Sequence, residues 1–367
     1  MRSLGFMSLR STSEKAYATE IAKRARSCGV ECFRFIPSAI DPRTELIAGE
    51  KYDHSKEEWA EASFPLPDVL YDRCFYGNDT HSRQCRSIVH YLKNRRDTLF
   101  LGHGLPNKLE LYKILSQSPL APYIPKSIHA QSADQVLQQS ASGSPLILKP
   151  ANGSQGAGIY YLKKQKDGLL VKTDTPEEQI SRLFTDQKKA AGWLGQLLSG
   201  NSYLLQPYLP LSNRDNQPFD IRVLLQKNEA GSWQEMGRGV RVGRENGIIS
   251  NMSAGSAVST FENWLENSAV SSSRFLRAEL AEISKALPEI LEDALPPLFE
   301  IGLDIGIARD GAIWILDVNS KPGRKVILET DPDKKEALYK APLLYGKLLT
   351  SAGQAERRKN SEKTVSH

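Results

Sequence analysis

Apolar positions along the chain change period from stretch to stretch, and the changes mark out its elements. Residues 3–7 and 30–36 are short apolar runs that read as strands. Between them, residues 13–28 place apolar side chains at helical spacing, with Ser11, Thr12 or Ser13 available as a cap. This is a β-α-β opening. Residues 37–67 carry Asp-Pro, Ala-Gly and Pro-Leu-Pro punctuation and read as irregular. A buried strand at 68–71, a helix at 80–96 and a strand at 98–101 complete a first α/β unit, residues 1–105, for which a parallel sheet is expected.

A second unit, residues 106–211, begins with helices at 107–117 and 132–139. A strand at 146–149 runs into a Gly-rich loop at 150–158, and a strand at 159–162 follows. Residues 176–198 read as a long helix, and the strand at 203–206 stops at Pro207. A third unit, residues 212–350, opens with a polar loop and has strands at 219–226, 233–242 and 248–250. Its helix at 275–294 repeats apolar positions every three or four residues. Two apolar runs, 301–308 and 312–318, then meet at Arg309-Asp310-Gly311, the strongest short-range signal for a hairpin. A closing helix spans 334–349. Residues 351–367 gather Lys and Arg and read as a disordered basic tail.

Composition narrows the function classes. A net charge of +5 is small for 367 residues, and no Lys/Arg stripe interleaved with aromatics occurs, so no nucleic-acid partner is expected. No apolar run reaches the roughly 20 residues of a membrane span, and no secretory signal opens the chain, so a cytoplasmic protein is expected. Cys28, Cys32, Cys74 and Cys85 form no CxxC pair and read as reduced thiols. The six histidines make no zinc motif.

Candidate chemistry sits in four stretches. On the second strand of the hairpin, Asp317 and Asn319 share a face, and the pairing can bring Asp304 opposite them. Two carboxylates and an amide so placed suit Mg2+ that also holds substrate phosphates. Lys149 ends a strand just before Gly153-Ser154-Gln155-Gly156-Ala157-Gly158, whose free N–H groups can cradle phosphate. This is not a Walker A loop, because Lys precedes the glycines, and the βα turn of the first unit carries no GxGxxG. Residues 203–209 offer an extended segment for a purine edge, or serve as a plain linker. Asp220 and Arg222 share one strand face, and Arg238, Arg241 and Asn251 follow in further segments. Guanidinium groups facing carboxylates suit an enzyme that neutralises a migrating phosphoryl group. Asp72 and Arg73 lie just past a strand's carboxyl end, where open sheets bind ligands, and a local salt bridge is the other reading. No Ser/His/Asp or Cys/His set is present to supply a nucleophile.

In this order the stretches resemble the ATP-grasp fold. More narrowly the chain resembles the endospore coat-associated YheC/YheD family, over about residues 1–350. The carrying phrases are PDVLYDR at 67–73, LKPANGSQGAGIY at 148–160, FDIRVLLQK at 219–227 and GLDIGIARDGAIWILDVNSKPGR at 302–324. The resemblance implies α/β and α+β lobes: a β-α-β pre-grasp domain followed by the two ATP-grasp lobes. It implies an ATP- and Mg2+-dependent ligase that joins a small-molecule or peptide carboxylate to an amine through an acyl phosphate. Lys108, Lys149 and the glycine loop would hold ATP phosphates, with Asp220 also on the nucleotide side. Gln206, Tyr208 and Leu209 would hold adenine, and Asp304, Asp317 and Asn319 would hold Mg2+. Arg222, Arg241 and Asn251 would act in catalysis. Asp72, Arg73, Arg238 and residues 250–256 would set specificity. An ATP-binding coat-assembly protein with little turnover, and a phosphotransferase, are the alternatives. The N-terminal unit offers a surface for a homodimer. Two positions depart from the wider pattern. Residue 317 is Asp where most relatives of the fold carry Glu. Ile249 and Gly255-Ser256 replace the Arg and Gly-Gly that flank this point in glutathione synthetase-like ligases.

Overall fold

The computed structural model describes the backbone of residues 2–152, 158–175, 177–250, 257–268 and 273–365, and side chains through residue 352. Three sheets follow one another along the chain.

The first sheet holds strands β1 (Ser3–Met7), β2 (Glu31–Phe35), β3 (Ile47–Asp53), β4 (Glu58–Phe64), β5 (Val69–Asp72) and β6 (Leu99–Phe100), in spatial order β4-β3-β2-β1-β5-β6. Helix α1 (Lys15–Ala25) buries Ala18, Ile21 and Ala22 against it, and α2 (Thr80–Lys93) is capped by Asp79, whose side chain accepts from the Ser82 amide. The β1, β2, β5 and β6 pairings are parallel, as expected. The sheet as a whole is mixed, because β2, β3 and β4 pair antiparallel through residues read above as irregular. The hairpin escapes its own sequence pattern. Of its fourteen strand positions only Ile47, Tyr52 and Phe64 are buried, so almost no apolar alternation marks it.

The second sheet is antiparallel throughout, in order β11-β10-β9-β8-β12-β7. Helix α3 (Lys108–Ser116) precedes it, capped by Asn107. Its members are β7 (Ile128–Ala130), β8 (Leu146–Pro150), β9 (Tyr160–Gln165), β10 (Gly168–Asp174), β11 (Gln179–Phe184) and β12 (Tyr203–Pro207), with α4 (Ala133–Ser140) and α5 (Gln187–Gly200) packed on them. The helix expected over 176–198 starts only after Asp186, whose side chain caps α5 at the Lys188 amide. Its first third is instead the edge strand β11. That strand exposes Ile180 and Leu183, which removes the buried face that periodicity detects.

The third sheet, β15-β14-β13-β16-β17, is also antiparallel. It comprises β13 (Phe219–Lys227), β14 (Trp233–Val242), β15 (Ala257–Thr260), β16 (Glu300–Ile307) and β17 (Ile313–Asn319). Helices α6 (Phe261–Asn267) and α7 (Ser273–Ala294) cover one face, and the largest core lies between α7 and the inward positions of β13 and β16. Helix α8 (Lys325–Thr330) follows, and the backbone of α9 is helical from Lys335 to Val365. The expected hairpin is present: Gly311 takes φ +87° at the turn and the Asp310 side chain accepts from the Ala312 amide.

The first and third sheets are tied by a buried polar cluster. Glu300 accepts from Arg73 at 2.7 Å, Tyr71 at 2.6 Å, Gln226 at 3.2 Å and Arg324. Beside it Asp72 takes Lys93 at 2.9 Å and Lys321 at 2.8 Å. Two of the phrases singled out in the sequence, residues 67–73 and 302–324, are thus each other's partners.

Candidate active site

A cleft of about 670 Å³ opens among the three sheets. The face of the third sheet turned away from α7 forms its floor, and strand pairing dictates what that floor displays. Asp220 on β13 sits opposite Arg241 on β14, and Arg222 sits opposite Asp304 on β16. Asp304 in turn sits opposite Asp317 on β17, with an irregular register just after it. Cross-strand neighbours on one face lie within reach of each other's side chains, so the result is a row of alternating charges.

The row is closely bonded. Arg241 donates to both Asp220 oxygens, at 2.6 and 2.7 Å, and reaches Asp304 at 3.0 Å. Arg222 donates to both oxygens of Asp304, at 2.5 and 3.0 Å. Ser250 donates to Asp220 at 2.5 Å. Lys108, at the start of α3, meets Asp317 at 2.8 Å, and Asn319 stands 3.5 Å from the same carboxylate. Lys149, from β8, donates to the Leu316 carbonyl at 3.0 Å. Burial pushes Asp304 up, but Arg222 and Arg241 override it and hold the carboxyl below its usual range. Burial pulls Arg241 down, and Asp304 and Asp220 more than restore its charge.

Lys149 behaves differently. Burial, and then the neighbouring Lys108 charge, lower it to about 8, against a weaker pull from Asp317 and Asp304. An anion bound beside it favours the ammonium, so binding above that pH takes up a proton. Affinity for a polyphosphate anion in this cleft is therefore expected to be flat below pH 8 and to fall by up to about tenfold per pH unit above it. Titration calorimetry from pH 7 to 9.5 checks this, and Lys149→Arg, which stays charged, should flatten the profile.

The opposite wall is apolar. Pro125, Ile147, Pro207, Tyr208, Leu209 and Leu211 line it, and the Tyr161 ring meets Tyr208 edge-on at 4.9 Å. Gln206 donates to Ser127, and the Tyr208 amide to the Pro145 carbonyl at 2.9 Å. Asp174 on β10 accepts from the amides of Ile248 and Ile249, at 2.6 and 3.0 Å, and so straps the second sheet to a loop of the third across the mouth.

A sequence model of the family described as YheC/D like ATP-grasp matches residues 97–349. The chain belongs to this YheC/D-like ATP-grasp family. It is 40% identical over 344 residues to the endospore coat-associated protein YheC of Bacillus subtilis, covering 94% of each chain. It is 27% identical to YheD of the same organism, over 85% of this chain and 69% of that one. Among solved structures it is similar to D-alanyl-alanine synthetase A from Vibrio cholerae, with a TM-score of 0.54, 13% identity and coverage of 95% and 98%. It is also similar to the ATP-grasp ligase PsnB complexed with minimal precursor, with a TM-score of 0.53, 15% identity and coverage of 94% and 99%. The fold is ATP-grasp.

In this YheC/D-like chain Lys108, Lys149, Gln206, Tyr208, Leu209, Asp220, Arg222, Arg241, Asp304, Asp317 and Asn319 all line the one cleft. Gly158 takes φ +75° beside Pro150 at the loop's end. Gly153, Ser154, Gln155, Gly156 and Asn251 lie outside the described residues, as does most of the 250–256 stretch. Two expected specificity residues do not face the cleft. Arg238 is spent on Glu235, at 2.6 Å, and packs on Phe261, while Asp72 lies beneath the surface under its two lysines. Arg73 forms salt bridges, to Glu300 and Glu14, and also lines the cleft. Ser13, Glu14, Phe75 and Lys321 also line it and were not singled out as site residues. Their one sequence signal was position, since Glu14 and Phe75 both follow parallel strands at the carboxyl end.

The oxygen donors Asp304, Asp317 and Asn319 fit Mg2+ as a partial site. Among the described residues no cluster of three or more His, Cys, Asp or Glu could hold a metal alone, so phosphate oxygens would have to complete the shell. Lys108, which rests on Asp317, is the group a polyphosphate would draw away. Among the described residues no helix is long and apolar enough to cross a membrane, and Cys28, Cys32, Cys74 and Cys85 are buried and free.

Proposed function

We propose that the protein is an ATP- and Mg2+-dependent ligase that joins a carboxylate to an amine through an acyl phosphate. The observation that carries this reading is the charge cluster gathered over the third sheet. Four cations (Lys108, Lys149, Arg222, Arg241) alternate with three carboxylates (Asp220, Asp304, Asp317) in one cleft beside an apolar slot. Binding and phosphoryl transfer need positioned charge and no side-chain nucleophile, which suits this inventory.

In this reading the slot of Gln206, Tyr208 and Leu209 takes the adenine. Lys108 and Lys149, with the glycine loop, take the phosphates, and Asp220 acts from the nucleotide side by holding Arg241. Mg2+, when held by Asp304, Asp317 and Asn319, neutralises phosphate charge. Arg222 and Arg241 face the phosphoryl group as it moves to the substrate carboxylate, and Asn251 acts beside them. An amine then attacks the acyl carbon, and phosphate leaves. The lobe boundaries at 105, 211 and 350 are the working division. Support also comes from solved structures of similar shape, which are synthetases and ligases.

A second reading rests on the names of the curated relatives, which are endospore coat-associated proteins. It makes the chain a coat-associated ATP binder with little turnover. One experiment separates the two. Purified protein is given Mg-ATP and a pooled set of amino acids, small peptides and dicarboxylates, and ADP release and new masses are measured. The ligase reading predicts pool-dependent ADP release with an amide product, lost in Lys149→Ala and Asp317→Ala. Tight ATP binding without pool-dependent release favours the coat reading, and a phosphorylated product in place of an amide favours a phosphotransferase.

A further inference from the structure

The apolar slot and the charged floor belong to different sheets, and at the mouth of the cleft one side chain joins them. Asp174 is the last residue of β10, in the second sheet. Its Oδ2 accepts from two consecutive amides in a loop of the third sheet, Ile248 at 2.6 Å and Ile249 at 3.0 Å. Its Oδ1 accepts from Gln179 Nε2 at 3.0 Å, and the same nitrogen donates to the Asn246 carbonyl at 3.0 Å. The gripped loop is seated on its own side as well. The Gly243 amide donates to the Pro218 carbonyl at 2.7 Å and the Asn246 amide to the Asn216 carbonyl at 2.9 Å. Past Ile249 comes Ser250, which donates to Asp220, the carboxylate that holds Arg241. On the second sheet Thr173, next to Asp174, donates to the Ile159 carbonyl at 2.8 Å, just after the glycine loop. Ile248 and Ile249 line the cleft together with Tyr208. Burial raises the Tyr208 hydroxyl above its usual range, Arg309 pulls it down and the Asp174 charge adds to the rise, which sets the carboxylate beside the slot. Every partner in this clasp is a protein group, so it forms without help from a nucleotide.

We infer that Asp174 is a positioning residue that clasps the two walls of the slot together, and that a nucleotide enters and leaves only as the clasp opens. The inference rests on the nucleotide placement of the ligase reading. A residue that touches the nucleotide sets how tightly it binds, and its loss shows mostly in the release rate. A clasp made of protein groups alone resists entry and exit alike. Weakening it speeds both rates and leaves their ratio, the affinity, nearly unchanged.

The test is stopped-flow fluorescence on the full chain with Mg2+ and ADP carrying a methylanthraniloyl group on its ribose, with plain ADP as the chase. Asp174→Ala should raise the association and release rates together by about 10- to 100-fold, the range for hydrogen bonds to a charged group, with Kd changed by less than about threefold. Gln179→Ala, which leaves the two amide bonds in place, should act in the same direction and less strongly. Hydrogen exchange at the Ile248 and Ile249 amides, read without nucleotide, should quicken by a similar factor in Asp174→Ala. Unchanged rates in Asp174→Ala, or faster release with a matching loss of affinity, would overturn the inference. Absence of ADP binding by the wild-type chain would instead count against the nucleotide placement on which the ligase reading stands. Equal exchange of the two amides in the wild-type chain and Asp174→Ala would overturn the clasp whatever the nucleotide does.

Discussion

Replacing Arg222 by methionine is expected to cut ADP release by about 10²- to 10³-fold, the cost of removing one preorganised donor to developing charge. Affinity for Mg-ATP should change by less than about tenfold, because the interaction strengthens as the phosphoryl group moves. The structure explains the asymmetry. Arg222 is buried on β13 and donates through Nε and Nη2 to the two oxygens of Asp304, so its position is set before any substrate arrives. Preorganisation of this kind stabilises a transition state without a matching gain in ground-state binding. Steady-state ADP release and calorimetry on the same preparation measure both quantities. A loss of turnover under about fivefold would remove Arg222 from the catalytic assignment.

The second large effect is on stability. Glu300→Gln is expected to destabilise the protein by about 3–5 kcal/mol, the cost of breaking a buried ion pair from one side. Glu300 is 2% exposed and accepts from Arg73, Arg324, Tyr71 and Gln226, and Arg324 also lies 3.5 Å over the Tyr17 ring. The amide would leave Arg73 and Arg324 as neighbouring buried cations with one carboxylate, Glu14, between them. Urea unfolding followed by circular dichroism reads the change. A shift under about 1 kcal/mol would mean that water compensates the guanidinium groups and that the cluster does not hold the first and third sheets together.

What could be read in the sequence, and what could not, divides along physical lines. Asp317 and Asn319 were legible as a pair because alternate residues of a strand share a face, but the register set by the Asp-Gly turn would put Asp304 opposite Leu316, and a bulge at Leu316 is what brings Asp304 opposite Asp317. Asp220, Arg222 and Arg241 were legible for the same reason, since charges among buried apolar neighbours need a purpose. The β3–β4 hairpin and β11 were not, because strands that bury three positions or fewer leave no period-2 trace. Glu14 and Phe75 were beyond reach for a different reason. Each is an ordinary residue made unusual by a partner more than fifty positions away or by the cleft it faces. Arg73 was read either as a ligand-binding residue or as a local salt bridge, and the fold shows the salt bridge, to Glu300 beneath the surface and Glu14 at it.

The measurement that bears most directly on the ligase reading follows oxygen. Carboxylate substrates labelled with oxygen-18 are incubated with Mg-ATP, an amine pool and the protein, and the released phosphate is analysed by mass. Transfer through an acyl phosphate predicts that each phosphate carries one labelled oxygen from the carboxylate, in step with amide formation. Unlabelled phosphate released at the same rate as ADP would show that the phosphoryl group never rests on the carboxylate, and would contradict the reading of Arg222 and Arg241 as its attendants.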